Sequence, residues 1–373
     1  MSDLILEENT FGIEIETASP VSRELLAERM QVILGSDFQV KAERYNHSDT
    51  TENKWKIVSD ATIRTTSTHP HQAEIVSPIL KGQDGLDKLE KVLDAMNECE
   101  VKVNKSCGIH VHHDAEMLNT EQMVKLSQFY TFYETILDGL QPMSRRASNS
   151  YNEPMKYRKS SHTLFDEMES KKSMHSWIAR ERSEDHKREN MRSAFAGTFP
   201  RACKLNILSA YGTHGTIEFR HHSSSTEFLK LKNWIVLTQS MMVFASNNRK
   251  KLSKKHKPSF SKMFKLLEVE KELERFYSFR RLVLRDKYFS FTSGCTKFED
   301  GYYPRSRPRG IGSRCFLASA TNGTFNRYLA SENPECEGDF EDEPESQISP
   351  ERQAEYNLVD MEIEAEFGIH ARN

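Results

Sequence analysis

The sequence predicts an α+β fold, in which a curved antiparallel sheet carries a metal-binding open face and helices cover its other face. Five short segments alternate apolar and ionisable residues with a period of two, and side chains on a strand alternate between the two faces of a sheet. Segments with helical periodicity separate them. Because each strand would have one polar face, the pattern favours an antiparallel sheet over a parallel sheet buried on both sides.

The five strand-like segments are, in chain order, 11–17 (FGIEIET), 55–60 (WKIVSD), 73–78 (AEIVSP), 108–114 (GIHVHHD) and 215–222 (GTIEFRHH). In the first segment, Glu14 and Glu16 point to one face while Ile13 and Ile15 point to the other. The polar positions of all five are mainly carboxylates, imidazoles and one guanidinium, rather than the Thr, Ser and Lys of an ordinary solvated sheet face.

Helices are predicted by apolar periodicity and by capping residues. They begin after Ser22, after Asp84, at Thr120 and after Ser224. The helix from Thr120 would run to Leu137 and stop at Gly139. Ser224 and Glu227 have the spacing of a capping box.

Composition divides the chain into a catalytic domain, 1–331, and an acidic tail, 332–373. The domain would contain the strand motifs in 11–244, a basic segment in 249–262 and a helical, Arg-rich segment in 263–331, with a helix from about Glu268 to Tyr288. The tail carries fourteen carboxylates between Glu332 and Glu366 against one arginine, which is typical of an extended or weakly helical segment.

Charge and cysteine usage exclude several classes of protein. Lys and Arg total 52 against 55 Asp and Glu, so no overall field attracts nucleic acid or an acidic membrane. The six cysteines include no CxxC pair, which argues against a zinc knuckle or a disulfide framework. The N-terminus has no basic leader, and no segment offers the roughly 18 apolar residues of a spanning helix. We expect a cytoplasmic protein, in the host cytoplasm if a phage encodes it.

The acidic positions suggest a metal site. Glu14 and Glu16 would lie about 7 Å apart on one strand, a separation that suits two cations better than one. The other candidate ligands on the predicted open face are Glu74, His110, His112 and Glu218. The two glutamates would add oxygen atoms, and one of the histidines would add a nitrogen. A set dominated by carboxylates suits Mg²⁺ or Mn²⁺ better than Zn²⁺.

Arg220 distinguishes among the possible metal chemistries. It follows Glu218 by two residues and therefore shares its face. A planar cation beside divalent metals is what a transferring phosphoryl group requires. Two alternatives stay open: a two-metal phosphoesterase or nuclease with water as its nucleophile, and a polyanion-binding protein that uses the basic run at 249–262.

The motifs together resemble the amidoligase family, a carboxylate-amine ligase branch of the glutamine synthetase and glutamate-cysteine ligase superfamily found in phages and bacteria. The resemblance covers about 11–244 and rests on FGIEIE, WKIVSDATI, AEIVSP, CGIHVHHD and KLNILSAYGTHGTIEFRHHSSST in that order. It implies a half-open antiparallel sheet and an ATP-dependent ligase. It also implies that Glu14, Glu16, Glu74 and Glu218 hold divalent metals.

The same resemblance implies roles for further residues. His110 or His112 would lie beside metal-bound phosphates, with His110 also a metal ligand, and Arg220 would meet the γ-phosphate. The run 142–151 (PMSRRASNSY) resembles an Arg-rich loop of the family that approaches nucleotide or substrate. The residues that this implies for nucleotide binding, besides Arg220, are Arg145, Arg146, Tyr151 and Asn206. One departure is the run 221–226 (HHSSST), which replaces a segment containing glycine.

The expected reaction is formation of an amide or peptide bond. A substrate carboxylate would attack the γ-phosphate of ATP to give an acyl phosphate, which an amine would then displace. Asp60 is a candidate base for the amine. The partners would be small-molecule or peptide carboxylates and amines, and their recognition is expected in the variable loops 141–200 and 305–309.

Overall fold

The computed structural model describes residues 9–44, 54–146, 155, 189, 192–193, 201–212, 215–250, 252, 258–290, 295–298 and 301–304. The predicted acidic tail and the loop at 305–309 lie outside these residues, so the proposed domain boundary remains a prediction. No helix in the described ranges is long and apolar enough to cross a membrane.

An open, largely antiparallel sheet organises the fold, which confirms the predicted α+β class. Its strands are β1 (Thr10–Ser19), β2 (Val40–Ala42), β3 (Trp55–Val58), β4 (His71–Val76), β5 (Leu80–Lys81), β6 (Gly108–Asp114), β7 (Leu205–Asn206) and β8 (Thr216–Ser223). They are ordered β2-β3-β4-β1-β6-β8-β7, and β5 pairs with the start of β1. Only the pairing of β2 with β3 is parallel among the described strands. β9 (Cys295–Phe298) and β10 (Gly301–Pro304) form a separate antiparallel pair.

Helices follow the strands in the predicted order. They are α1 (Arg23–Leu34), α2 (Gly82–Glu98), α3 (Thr120–Asp138), the short α4 (Met143–Arg146), α5 (Phe228–Ser246), α6 (Phe260–Leu267) and α7 (Lys271–Ser290). Short 3₁₀ turns occupy Ala115–Met117 and Leu208–Tyr211. The apolar sides of α2, α3 and α5 join the apolar residues of the strands in one core.

The predicted helix termini at Ser22, Thr120 and Gly139 are confirmed, whereas the helix predicted after Asp84 begins at Gly82 and has Asp84 in its first turn. The Ser22 side chain accepts a hydrogen bond from the Leu25 backbone at the start of α1, and α3 ends before Gly139. Ser224 does not cap α5, because its hydroxyl donates to the Glu16 carbonyl at 2.6 Å and the helix begins four residues later, at Phe228. Glu268 does not begin α7, because it adopts a left-handed conformation, φ 56°, that ends α6.

The alternation of side chains separates a packed face from an open one. Ile13, Ile15, Ile75, Val111 and Phe219 are at most 1% exposed and pack in the core. Their sequence neighbours of the opposite parity carry the ionisable groups. The helices therefore cover one face of the sheet and leave the face with the predicted ligands to build the site.

A β-bulge interrupts the pairing of β6 with β8. Ile109 pairs with His222 and Val111 pairs with Phe219, so β8 has one extra residue at this point. Bulges of this kind redirect side chains and occur often beside active sites. Here Arg220 contacts Glu218 on the open face, while the His221 ring contacts Tyr130 of α3 on the helix side.

Candidate active site

Strand register brings the predicted ligands together on the open face. Three cross-strand pairs stand side by side: Glu14 with His110, Glu16 with Glu74, and His112 with Glu218. Opposite residues of antiparallel strands have Cβ atoms about 4.5–5.5 Å apart. Ligands as far apart in the chain as Glu14 and Glu218 therefore form one continuous cluster.

His110 lies among three carboxylates. Its Nδ1 is 2.8 Å from Glu14 Oε2 and 3.4 Å from Glu218 Oε1, and its Nε2 is 3.4 Å from Glu16 Oε1. His112 Nε2 lies 3.3 Å from the other oxygen of Glu14. Burial raises the pKa of Glu14, but the charge of His112 and hydrogen bonds with both histidines outweigh it, so that pKa lies well below its usual value.

Both oxygens of Glu218 are engaged by residues that were predicted to bind nucleotide. Arg220 Nη1 donates to Oε1, and Asn206 Nδ2 donates to Oε2 at 2.6 Å. Burial raises the pKa of Glu218, but the charge of Arg220, followed by that of His112, lowers it below its usual value. Burial lowers the pKa of Arg220, but the negative charges of Glu218 and Glu14 raise it by a larger amount. The pKa therefore lies above its usual value, and the guanidinium stays charged.

Glu74 is the carboxylate with the least favourable surroundings for a negative charge. It is 3% exposed, and burial, followed by the charges of Glu14, Glu16 and Asp60, raises its pKa well above the usual value. Asp60 lies just beyond β3 and accepts a hydrogen bond from the Thr62 backbone at 2.7 Å. Ionised carboxylates this close require compensating positive charge.

Three overlapping groups of side chains could hold a cation. They are Glu14, Glu74 and His110; Glu14, His112 and Glu218; and Glu16, Asp60 and Glu74, with the ligand atoms of each group within 4.8 Å of one another. An octahedral Mg²⁺ with oxygen ligands at about 2.1 Å separates those ligands by about 3–4 Å. The hard donor set and the repulsion at Glu74 both fit a divalent cation. Asp60, predicted as a base, thus lies in one of these groups.

Arg145 lies in the site because Gly108 has no side chain and leaves space for its guanidinium. It is 4% exposed, and its guanidinium lies so close to Gly108 that a Cβ atom there would be 2.6 Å from Arg145 Nη2. The Gly108 amide also donates to Glu16 Oε2 at 2.6 Å. Glu16 and Arg145 therefore meet at the start of β6. The Arg146 side chain and Tyr151 lie outside the described residues.

Two residues of the site were not singled out by the sequence. Gly108 admits Arg145, and Thr216 Oγ1 lies 3.0 Å from His112 Nδ1, where it fixes the orientation of that ring. Both residues occur inside the quoted strand motifs. Their position beside ligand-bearing residues was the only signal available, since neither side chain is itself a metal ligand of the expected kind.

Gly108→Ala should displace the Arg145 guanidinium without unfolding the protein, because the clashing atoms belong to the end of a flexible side chain. We expect nucleotide affinity in the presence of Mg²⁺ to fall by about ten- to a hundredfold, as loss of one charged hydrogen-bond donor costs on the order of 1.5–3 kcal/mol. The measurement is calorimetric titration with a non-hydrolysable ATP analogue.

Gly12→Ala is the matched control for this variant, because a Cβ at Gly12 would make only ordinary contacts, the nearest at 3.7 Å. The melting temperature of both variants should stay close to that of the wild type. Equal affinities in the two variants would contradict a role for Arg145 at this position.

Glu74→Gln and Glu14→Gln should change the stability of the metal-free protein in opposite directions. A raised pKa means that Glu74 favours folding only while protonated, below its unfolded pKa, and that this contribution is lost as pH rises through its folded pKa. A lowered pKa means that Glu14 favours folding above its unfolded pKa. At pH 7.5 in EDTA, Glu74→Gln should therefore raise the melting temperature and Glu14→Gln should lower it.

Thermal melts with and without Mg²⁺ check this pair of variants. Added Mg²⁺ should stabilise the wild type, whose ligands are complete, more than it stabilises either variant. If the melting temperatures of both metal-free variants changed in the same direction, the ion contacts described for Glu14 and Glu74 would not determine how these carboxylates affect stability.

The fold and this face define an α+β protein with a cation-compatible acidic cluster on an open sheet. Residues 7–242 match the sequence family described as "Putative amidoligase enzyme". The match spans more than half of the chain, and the protein belongs to the amidoligase family, as the motifs predicted. Membership indicates an enzyme with ligase activity. No curated protein matches the chain.

Proposed function

We propose that the protein is an ATP-dependent carboxylate-amine ligase that forms an amide or peptide bond through an acyl phosphate with the help of two divalent cations. The observation that carries the proposal is the contact of Arg220 with Glu218 inside the cluster of cation-compatible side chains. A fixed guanidinium beside carboxylates that bind cations is the arrangement that phosphoryl transfer uses. Family membership supports the same class of reaction.

The residues present fit Mg²⁺ or Mn²⁺. Glu14, Glu16, Glu74 and Glu218 would supply oxygen ligands, and His110 would supply a nitrogen. Bound cations would polarise phosphate oxygens and neutralise charge as it develops. Glu14 and Glu74 belong to two groups each, so each of these carboxylates could help to hold a cation in either of its two groups.

The chain's own residues would position and stabilise the reacting groups. The Arg220 guanidinium would stabilise negative charge on the transferring phosphoryl group, because Glu218 holds it in place beside His110. Asn206, fixed by the same carboxylate, and Arg145, held against Gly108, would bind the nucleotide. His112, oriented by Thr216, would orient phosphate oxygens, and Asp60 would accept the proton of the attacking amine.

The balance of bonds in this reaction is simple. The substrate carboxylate oxygen forms a bond to the γ-phosphorus while the bond to the β-phosphate oxygen breaks and ADP leaves. The amine nitrogen then forms a bond to the acyl carbon, and inorganic phosphate leaves with the bonding electron pair. The amine loses a proton, which Asp60 would take up.

A thiol route to the acyl intermediate has no support from the cysteine nearest to the site. Cys107 is fully buried, and burial, together with the charge of Glu16, raises its pKa to about 12. A thiol with such a pKa is protonated at neutral pH and is a poor nucleophile. In the described part of the basic run, Lys250 pairs with Glu268 at 2.8 Å, so the charge of this one lysine is partly neutralised within the molecule.

The test is a hydroxylamine trap. The purified protein, Mg²⁺ and ATP are incubated with panels of amino acids, peptides and other small carboxylates, with hydroxylamine in place of the amine. A ligase should release ADP and form the hydroxamate of the correct acid. Absence of a hydroxamate with every acid, together with metal-dependent cleavage of a phosphodiester, would overturn the proposal and favour the phosphoesterase alternative.

A further inference from the structure

A buried ion network lies behind β7 and β8, on the side of the sheet that the helices cover. Its members Lys204, Asp138, Glu134 and His221 are each at most 1% exposed. Lys204 Nζ lies 2.5 Å from Asp138 Oδ1 and 3.4 Å from Glu134 Oε1. His221 Nε2 lies 2.7 Å from the same Asp138 oxygen, and its Nδ1 is 2.8 Å from the Tyr130 hydroxyl. None of these residues has a role in the proposed chemistry.

The network joins α3 to β8, which carries Arg220, and to the residue that directly precedes β7, which carries Asn206. Lys204 precedes Asn206 by two residues, and His221 directly follows Arg220. The Arg220 amide donates to the Lys204 carbonyl at 2.8 Å, which links the two network strands through the backbone. Asp138 therefore contacts the residue directly after Arg220 and the residue two positions before Asn206.

Stability alone is a weak explanation for such a network. Burying a charged group is costly, and replacing a complete buried ion pair by residues of similar shape is often neutral or stabilising. Where buried ionic groups are retained, specification of register is their best-supported role.

Register is poorly specified by the strands themselves at this edge. β7 contains only two residues and pairs with β8 through Leu205 with Phe219 and Asn206 with Glu218. A slip of one residue would exchange the two faces of β7 and turn Asn206 away from the open face. The neighbouring bulge in β8 adds a second position at which the pairing could shift.

We propose that the Lys204–Asp138–His221 network is a register lock that positions Asn206 and Arg220 on the open face. Lys204 is bound to Asp138 of α3 and thereby holds β7 in position. His221 is bound to the same Asp138 carboxylate and thereby holds the bulge that directs Arg220 to the open face. The network residues are positioning residues and do not touch substrate. The consequence for nucleotide turnover rests on the proposed function, whereas the consequence for strand pairing does not.

The test variant is Lys204→Met/Asp138→Asn in the full-length chain. It removes one positive and one negative charge together, conserves side-chain shape, and leaves Glu134 its hydrogen bond from the Met155 amide at 3.0 Å. The matched control is Lys88→Met/Asp84→Asn, which makes the same changes in an ion pair of 2.8 Å on α2 whose Asp84 side chain is 77% exposed. Asp138→Asn alone is the second variant if the double variant does not fold.

Three measurements are compared with the wild type and the control. Hydrogen exchange in 204–223 should become at least about tenfold faster relative to the rest of the chain, because the lock holds this pairing closed. Turnover of ATP should fall about 10²-fold, the loss that follows a misplacement of about 1 Å in a reacting group. Affinity for Mn²⁺ alone should change little, because most of the candidate ligands lie on β1, β4 and β6.

Hydrogen exchange tests whether the network holds the strand pairing, and ATP turnover tests whether that pairing positions the site residues. Faster exchange confined to 204–223 supports the lock. Unchanged exchange there, or faster exchange spread evenly over the chain, overturns it. If the wild type itself neither binds nor turns over ATP, the proposed function fails, while exchange still decides the lock. Restricted faster exchange with full turnover would overturn the positioning of Arg220 and Asn206.

Discussion

Glu218→Gln is expected to lower Mg²⁺-dependent ATP turnover by about three powers of ten, because loss of several kcal/mol of charge stabilisation corresponds to a factor of that size. Glu218 contacts His110, Arg220 and Asn206 and belongs to one of the cation-compatible groups. The amide keeps the shape of the side chain but removes the charge that attracts both a cation and the guanidinium. The fold should persist, since the site lies on the open face of the sheet.

Steady-state turnover and Mn²⁺ binding measure this effect together. The control is Glu90→Gln, which makes the same change at an exposed position of α2 and should leave both quantities unaltered. We expect Glu218→Gln to weaken Mn²⁺ binding as well as turnover. Turnover equal to that of the wild type would remove Glu218 from the cation site and with it the basis for the proposed mechanism.

Arg220→Lys should lose about 10²-fold in turnover although the positive charge is kept, a loss comparable to removal of one donor that stabilises the transition state. Arg220 Nη1 is already engaged by Glu218, and Arg220 Nε is buried with no hydrogen-bond partner among the described residues. A guanidinium can keep the first contact and still present other donors to a phosphoryl group. The lysine ammonium carries all three of its donors on one nitrogen, so it cannot reproduce the spacing of the planar fork between Glu218 and the phosphoryl group.

The loss should appear in kcat, because the contact with the phosphoryl group strengthens as charge develops. Arg29→Lys, at an exposed position of α1, is the control. If Arg220→Lys retains kcat and instead raises KM for ATP, then Arg220 binds the nucleotide in its ground state and does not stabilise the transition state.

Alternation of residue types was sufficient to predict the long strands of the sheet. The first segment, FGIEIET, lies within β1, and GIHVHHD corresponds to β6, with Glu14, Glu16, His110 and His112 on the open face and His113 buried against Thr238 on the helix side. Shorter strands could not be predicted in this way. β2, β5 and β7 contain only two or three residues each, which is too few to show a period of two.

The features that could not be predicted from the sequence depend on contacts between residues far apart in the chain. The capping box at Ser224 failed because the hydroxyl bonds the Glu16 carbonyl, 208 positions earlier. The proximity of His110 to Glu218 depends on strand order and on the bulge in β8, neither of which leaves a local pattern. The approach of Arg145 to Gly108 likewise depends on how a short helix meets the start of a strand.

Sharing of carboxylates makes the open face a single unit. Glu14 and Glu74 each belong to two of the three cation-compatible groups found in the described ranges, so a cation in one group would draw on oxygens that another group also needs. Under the proposed function, a cation in the group of Glu14, Glu74 and His110 would take one carboxylate from each of the other two groups, which share no residue with each other. Two cations could therefore be held without competition for a carboxylate only in the groups Glu14, His112, Glu218 and Glu16, Asp60, Glu74.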